Sequence, residues 1–168
     1  MEIDLTPRAA AASRVSLSII IMPEQANPYG TMHGGVLLTL ADECGAIAAL
    51  RHIGHGLIAT AAIDSMIFLG PVAVGERVEV MAEVTHAGRS SIESHIEIFA
   101  EPLQRPDRRK VGDGYGLYVA LDEQSQRHER VPPLVSETAA DHRRDEAARA
   151  RQAVRLTRRA EALAERVN

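Results

Sequence analysis

The sequence predicts an α+β fold in which a long, curved antiparallel sheet wraps around a long central helix, with an additional helix at the C-terminus. Two observations carry this. From Val36 to Leu50 almost every residue is apolar or small, with Leu37, Leu40, Ala41, Cys44, Ile47 and Ala48 at helical spacing and only Thr39, Asp42 and Glu43 interrupting. A helix without a wide polar face needs cover on several sides. The segments that follow have strand character, and Val78–Val84 and Ser91–Phe99 alternate between apolar and polar residues, which gives each one core-facing side. Helix and sheet can bury these surfaces economically only against each other.

Taken in order, Val15–Ile19 alternates and reads as a short first strand. Asn27 through Gly35 (Asn-Pro-Tyr-Gly-Thr-Met-His-Gly-Gly) concentrates turn-permissive residues and predicts a shaped loop ahead of the helix. Beyond the helix, Leu57–Ser65 is aliphatic and small, and strand character resumes from Ile67 to Leu69. In the Ser91–Phe99 strand, Ile92, Ile96 and Ile98 lie on opposite parity from Glu93, His95 and Glu97. The charged, proline-containing stretch from Glu101 to Asp113 predicts a loop, and Gly114–Leu121 a final strand. Val131-Pro132-Pro133 marks a boundary, because proline lacks a backbone donor and restricts its predecessor. Residues 1–135 are thus expected to form one domain and residues 136–168 an arginine-rich helical extension. Its helix is expected over Asp141 to Arg166, and Ser136 with Ala139 makes no capping box. Its few apolar residues, Val154, Leu156, Leu163 and Val167, suggest a solvent-facing helix or a weakly held interface element. The open sheet edge gives a physical motive for pairing with a second copy.

Composition narrows the function. At 168 residues and 18.2 kDa the chain suits one compact domain. Aromatic residues make up only 3%, which leaves packing to aliphatic side chains and provides no base-stacking platform. The single Cys44 excludes an internal disulfide and a multi-cysteine metal cluster. No apolar run reaches the roughly 18–20 residues of a membrane helix, and the start lacks a signal-peptide pattern, so a soluble, cytoplasmic protein is expected. The formal charge of -4 is uneven: residues 137–168 hold eight arginines and six carboxylates, leaving 11 basic and 17 acidic residues in 1–136. An acidic body argues against nucleic-acid binding by its whole surface and leaves room for a local basic pocket.

The residues that can carry chemistry cluster around the loop and the helix. A helix starting near Gly34 or Gly35 offers unpaired amides and a favourable dipole to a developing oxyanion, although the two glycines also suit a plain loop-to-helix transition. Asp42 lies seven residues beyond Gly35, about 10 Å along the axis, so one bound group cannot touch both. Two protomers with antiparallel central helices would bring the helix start of one to the middle of the other. Asp42 is then the preferred general base for water attack on a carbonyl; a cap or paired interface residue is its structural alternative. Glu43 points about 100° away and suits a loop or interface. Asn27 can orient a carbonyl or water through its amide, or simply form a turn. His33 can bind substrate or hold the loop, and nothing near it has zinc-ligand spacing. His52 and His55 suit capping at the helix end, and Cys44 suits core packing. Gly88-Arg89-Ser90-Ser91 supplies a cation and two hydroxyls suited to a phosphate or the polar arm of a substrate, or else a polar hairpin. Gly112-x-Gly114-x-Gly116 has no dinucleotide-binding signature, and Tyr115 and Tyr118 read as strand packing.

Taken together, Asn27 to Gly35 with Leu40-Ala-Asp42-Glu43, Thr60-Ala-Ala-Ile-Asp64, Phe68-Leu-Gly-Pro71 to Gly75, Gly88-Arg-Ser-Ser91, Val119-Ala-Leu-Asp122 and Val131-Pro-Pro133 resemble the acyl-coenzyme A thioesterase family with a hotdog fold. The resemblance spans roughly residues 15–134. It implies conversion of acyl-CoA and water to a free acid and coenzyme A, with no metal or cofactor, by protomers paired as a dimer or an assembly of dimers. It further implies that Asn27 and the Gly35 amide come from one protomer and Asp42 from its partner, and that Asp42 acts on water or attacks the thioester itself. Arg89, Ser90 and Ser91 become candidate contacts for the coenzyme A portion, and His33 and Gly34 candidate substrate contacts. Met32-His33 and Leu69-Gly70 depart from the usual pattern, which leaves the acyl class open. His33-Gly34-Gly35 is also similar to small hotdog thioesterases acting on aromatic or phenylacetyl thioesters. A noncatalytic acyl-CoA-binding or lipid-sensing module, and hydration of an enoyl thioester, are the alternatives of other classes.

Overall fold

The computed structural model describes residues 4–165. Its elements are β1 (Arg8–Ala9), β2 (Val15–Ile20), α1 (Gly34–Ile53), β3 (Leu57–Phe68), β4 (Glu76–Ala87), β5 (Ser91–Pro102), β6 (Arg109–Leu121), β7 (Leu134–Val135) and α2 (Ala139–Glu165), with 3-10 turns at Ala10–Ser13 and Pro23–Gln25. β2, β4, β5, β6 and β3 form, in that order, one five-stranded antiparallel sheet.

The alternation read from the sequence decides which face meets α1. Val78, Val80 and Ala82 of β4 and Ile96, Ile98 and Ala100 of β5 pack with Leu37, Ala41, Cys44 and Ala48 of α1 in one buried cluster. A second cluster around Ile53, Val84, Ile92 and Tyr118 closes the other end of the helix. α1 is apolar on more than this one side, as its composition required: Ile47 and Leu50 remain 40% and 39% exposed, turned away from its own sheet. The helix stops at Gly54, whose left-handed backbone (φ +70) and N–H bond to the Leu50 carbonyl form a C-terminal cap.

Three expectations need correction. The interruption expected after Ser65 is a β-bulge within one continuous strand: the β3–β6 register shifts between Asp64 and Ile67, and Ser65 takes up the bend in a left-handed conformation (φ 55). The loop expected from Glu101 to Asp113 is much shorter, because its ends pair as strands. Arg109 bonds Glu76, and Lys110 bonds Glu97 on the neighbouring strand at 2.7 Å, so these charges are cross-strand partners rather than loop solvation.

The C-terminal helix is the third. It begins at Ala139, three residues after Ser136, behind a reciprocal cap in which Thr138 Oγ1 accepts from the Asp141 N–H and Asp141 accepts from the Thr138 N–H. It is not a loosely held tail. α2 lies on the sheet face opposite α1, with Ala148 fully buried. Arg144 bonds Glu83, His86 bonds Asp145 at 2.7 Å, and Arg151 covers the Tyr115 ring. Arg166, the expected end of this helix, and Val167, one of its segment's apolar residues, lie outside the described residues.

Candidate active site

Asp42 sits in the middle of α1, half-buried, where the helix passes edge strand β3. Its carboxylate accepts a hydrogen bond from Thr60 Oγ1, 2.9 Å to Oδ1 and 3.2 Å to Oδ2. Two buried hydroxyls fix the same turn of α1 from behind. Tyr118 donates to the Asp42 backbone carbonyl at 3.1 Å, and Ser94 donates to the Gly45 carbonyl at 3.0 Å. Glycine at 45 and 116 is what admits the Tyr118 ring: a Cβ at either position would collide with it. Burial, and then the charge of Asp42, push the Tyr118 phenol far above its ordinary range, so it stays a neutral donor. The carboxylate is thus held on a rigid backbone, bonded to edge strand β3.

The start of α1 is the second half of the candidate site. His33 is its N-cap, and its Nδ1 accepts the Gly35 N–H at 3.0 Å. The amide expected to receive an oxyanion is therefore covered by an exposed imidazole, and His33 holds the loop directly. Phe68 lies beside Gly34, close enough to contact a Cβ there. Asn27 forms the turn: its Oδ1 accepts from the Tyr29 and Thr31 amides and its Nδ2 donates to Thr31 Oγ1, which leaves one amide proton for another group. Within one chain, Asp42 stays two helical turns from this amide.

Ser90 and Ser91, in the β4–β5 hairpin, line a cleft of about 770 Å³ on the α2 side of the sheet. Arg89 is exposed and joins the body through its carbonyl, which accepts from the Val131 N–H. The other candidates have structural roles. Glu43 is exposed; His52, its ring held neutral by burial, bonds the Pro132 carbonyl; and His55 pairs with Glu129 at 3.4 Å. Cys44 is buried, with its thiol pushed up to about 11. His95, Glu97 and Asp113 have the spacing of a metal site on the outer face, but the Lys110 ammonium bonds both carboxylates and already occupies the cation position.

Thr60 is the site residue the sequence reading missed. In the sequence it stands out only as the first residue of the Thr60–Asp64 block, although its parity with Ile58 on β3 turns it toward α1. Thr60→Ala is expected to lower the turnover of chemistry at Asp42 roughly tenfold, the worth of one hydrogen bond to a charged group, measured on the thioesters that the resemblance implies, with the fold checked by circular dichroism. An unchanged kcat would contradict a role for this bond.

Comparison with known proteins bears on the family and the fold. The family model of the thioesterase superfamily matches residues 29–106. An acyl-CoA thioester hydrolase of Salmonella typhimurium is 35% identical over 124 residues, covering 71% of this chain and 88% of that protein. The cytosolic acyl coenzyme A thioester hydrolase of Mus musculus is 29% identical, and the match spans about a third of its length. Among solved structures, the acyl-CoA hydrolase of Staphylococcus aureus, in complex with butyryl coenzyme A and coenzyme A, superposes with TM-score 0.84 at 29% identity over 92% of this chain and 93% of that one. An apo-hexameric acyl-CoA thioesterase gives TM-score 0.86 at 30% identity, over 92% and 98%. No described helix is long and apolar enough to cross a membrane. A sheet wrapped around an apolar helix with Asp42 at its middle, matched along most of the chain, places this protein in the acyl-CoA thioester hydrolase family, with a hotdog fold.

Proposed function

We propose that this chain cleaves acyl-CoA thioesters to a free carboxylic acid and coenzyme A at a site shared between two copies of itself. Asp42 of one protomer takes a proton from water as the water oxygen adds to the thioester carbonyl carbon. The helix start of the other protomer, through the Gly34 and Gly35 amides, receives the developing oxyanion, and Asn27 orients the carbonyl or the water with its remaining amide proton. Collapse of the tetrahedral intermediate expels the coenzyme A thiolate, which takes the proton from Asp42. For Gly35 to take part, the His33 imidazole has to turn off its N–H; its exposure leaves room for that. Arg89, Ser90 and Ser91 face the coenzyme A portion.

The observation that carries this reading is the Thr60 to Asp42 bond, beside an open edge strand. Solved variants of the Staphylococcus aureus hydrolase replace one aspartate, one asparagine and one threonine by alanine, the same three residue types assigned here. Direct attack by Asp42 on the thioester, through an acyl-enzyme anhydride, is the second mechanism open to this carboxylate. Single-turnover hydrolysis in 18O-labelled water, with mass analysis of the Asp42 peptide and of acid-quenched enzyme for a covalent acyl adduct, separates the two: label entering Asp42, or the adduct itself, marks direct attack, and water activation gives neither.

Pairing follows from the distance between the halves and from the apolar residues left uncovered. Ile47 and Leu50 on α1 are about 40% exposed, turned away from their own sheet, and β3 is an edge strand. Native mass spectrometry is expected to show a dimer or a multiple of dimers, in keeping with the hexameric thioesterase matched above. An active, strictly monomeric protein would contradict the shared site.

A further inference from the structure

The cleft on the α2 side of the sheet has a composition that neither a packing surface nor the mechanism above explains. Its floor is apolar, built from Ala59, Ala61, Leu117 and Val119. Its rim is basic. On α2, Gln152, Arg155, Leu156 and Arg159 follow one another at i, i+3, i+4 and i+7 and form a single stripe over the cleft, flanked by Arg158. Opposite stand the Ser90 and Ser91 hydroxyls. One acidic residue lines the cleft, Asp64, and it is bonded by Arg155 at 3.1 Å. Arg158 and Arg159 have no carboxylate partner among the described residues.

Arg155 adds an independent sign of a missing ligand. Its side chain is only 11% exposed. One nitrogen, Nη1, bonds both Asp64 and Glu93, while Nε and Nη2 are buried without a partner. A buried guanidinium with two unanswered donors is costly unless an acceptor reaches it, and a guanidinium fork presents such donors in the geometry a phosphate accepts.

The cleft also lies on the route a long substrate would take. Ala59 and Ala61 flank Thr60 on edge strand β3, and their side chains face the cleft while the Thr60 hydroxyl faces Asp42. Ser90 and Ser91, the hydroxyls proposed above to face the coenzyme A portion, line the same cleft, so a ligand with its reactive end at Asp42 can place its far end there. Coenzyme A has that shape: a flexible, uncharged pantetheine arm separates the thioester from a nucleotide bearing several phosphates.

We propose that α2 completes a subsite for the phosphorylated nucleotide end of coenzyme A, with Arg155, Arg158 and Arg159 as its cations and Ser90 and Ser91 as its hydroxyl donors. The proposal rests on the thioesterase reading above, and it gives the arginine-rich C-terminal helix a role in substrate recognition.

The test compares a short-chain acyl-CoA with the matching acyl-pantetheine, which carries the same thioester and no phosphate. Replacing both exposed arginines, Arg158→Ser with Arg159→Ser, is expected to lower the preference for acyl-CoA over acyl-pantetheine, taken as the ratio of kcat/KM values, about tenfold. Arg149→Ser removes a charge from α2 one turn before the cleft stripe, where Arg149 is 71% exposed, bonds Asp145 and does not line the cleft; it is expected to leave that ratio alone. An unchanged ratio in the double variant, or an equal drop in Arg149→Ser, overturns the proposal. Calorimetric binding of coenzyme A keeps the subsite separable from the chemistry. If the wild type releases no thiol from any thioester, yet the double variant binds coenzyme A about tenfold more weakly, the hydrolase reading fails and the subsite stands. Equal binding by both forms overturns the subsite, whatever the hydrolysis shows.

Discussion

Asp42→Asn is expected to reduce kcat for acyl-CoA hydrolysis about a thousandfold, within the range set by loss of a general base, while leaving the fold and coenzyme A affinity close to wild type. The amide is nearly isosteric and still accepts from Thr60 Oγ1, so the hydrogen bond joining α1 to β3 survives. The Tyr118 bond reaches the backbone carbonyl at 42 and is indifferent to the side chain. Only the proton acceptor is lost. Thiol release followed across short, medium, long and aromatic acyl groups measures the effect, and residual activity within a factor of a few of wild type would remove Asp42 from the chemistry.

The second large effect concerns stability. Glu93 is a fully buried carboxylate on the central strand β5, bonded by Arg151 at 2.7 Å, by Thr85 at 2.8 Å and by Arg155 at 2.7 Å. Glu93→Ala leaves two arginines facing each other without their shared anion, so it is expected to cost about 3–5 kcal/mol and to lower Tm by roughly 10 °C. A Tm shift no larger than a surface substitution gives would show that α2 is not anchored here.

The same cluster predicts a pH dependence. Burial alone would raise the Glu93 carboxyl, but the hydrogen bonds from Arg151, Thr85 and Arg155 outweigh it and hold the group below its ordinary 4.5. A carboxyl depressed in the folded state contributes stability above its unfolded value, and that contribution disappears as pH falls through the folded value. The stability gap between wild type and Glu93→Ala is therefore expected to be full at neutral pH and to narrow below about pH 4.5. A gap that stays constant down to pH 3 would contradict the ionised pairing.

This cluster also shows where the sequence stopped being legible. The alternation in Ser91–Phe99 puts Glu93 on the polar side of a strand, and nothing in it says what meets that side. What covers it is Arg151 and Arg155, 58 and 62 residues later in a segment with few apolar residues of its own, and nothing local announces that pairing. Arg109 and Lys110 were illegible in the same way, because a charge resembles a loop residue until its partner on another strand is known. By contrast, the wrapped helix was legible because its apolarity is local and demands cover. The Asn27–Gly35 loop was legible because its turn chemistry lies within nine residues. The covering of the Gly35 amide by His33 is local as well, but an imidazole two residues away signals equally a ligand contact or a cap, and only the side-chain geometry separates them.

The shared site is tested most directly by mixing two inactive proteins. Asp42→Asn lacks the carboxylate, and Asn27→Ala lacks the amide at the other half; each alone is expected to release little thiol. Unfolded together and refolded, they form mixed pairs in which one of the two sites combines an intact Asp42 from one chain with an intact Asn27 and helix start from the other. Recovery of acyl-CoA hydrolysis in the mixture, well above either parent, is the predicted result. A mixture as inactive as its parents, with mixed species shown by native mass spectrometry, would contradict a site built from two chains.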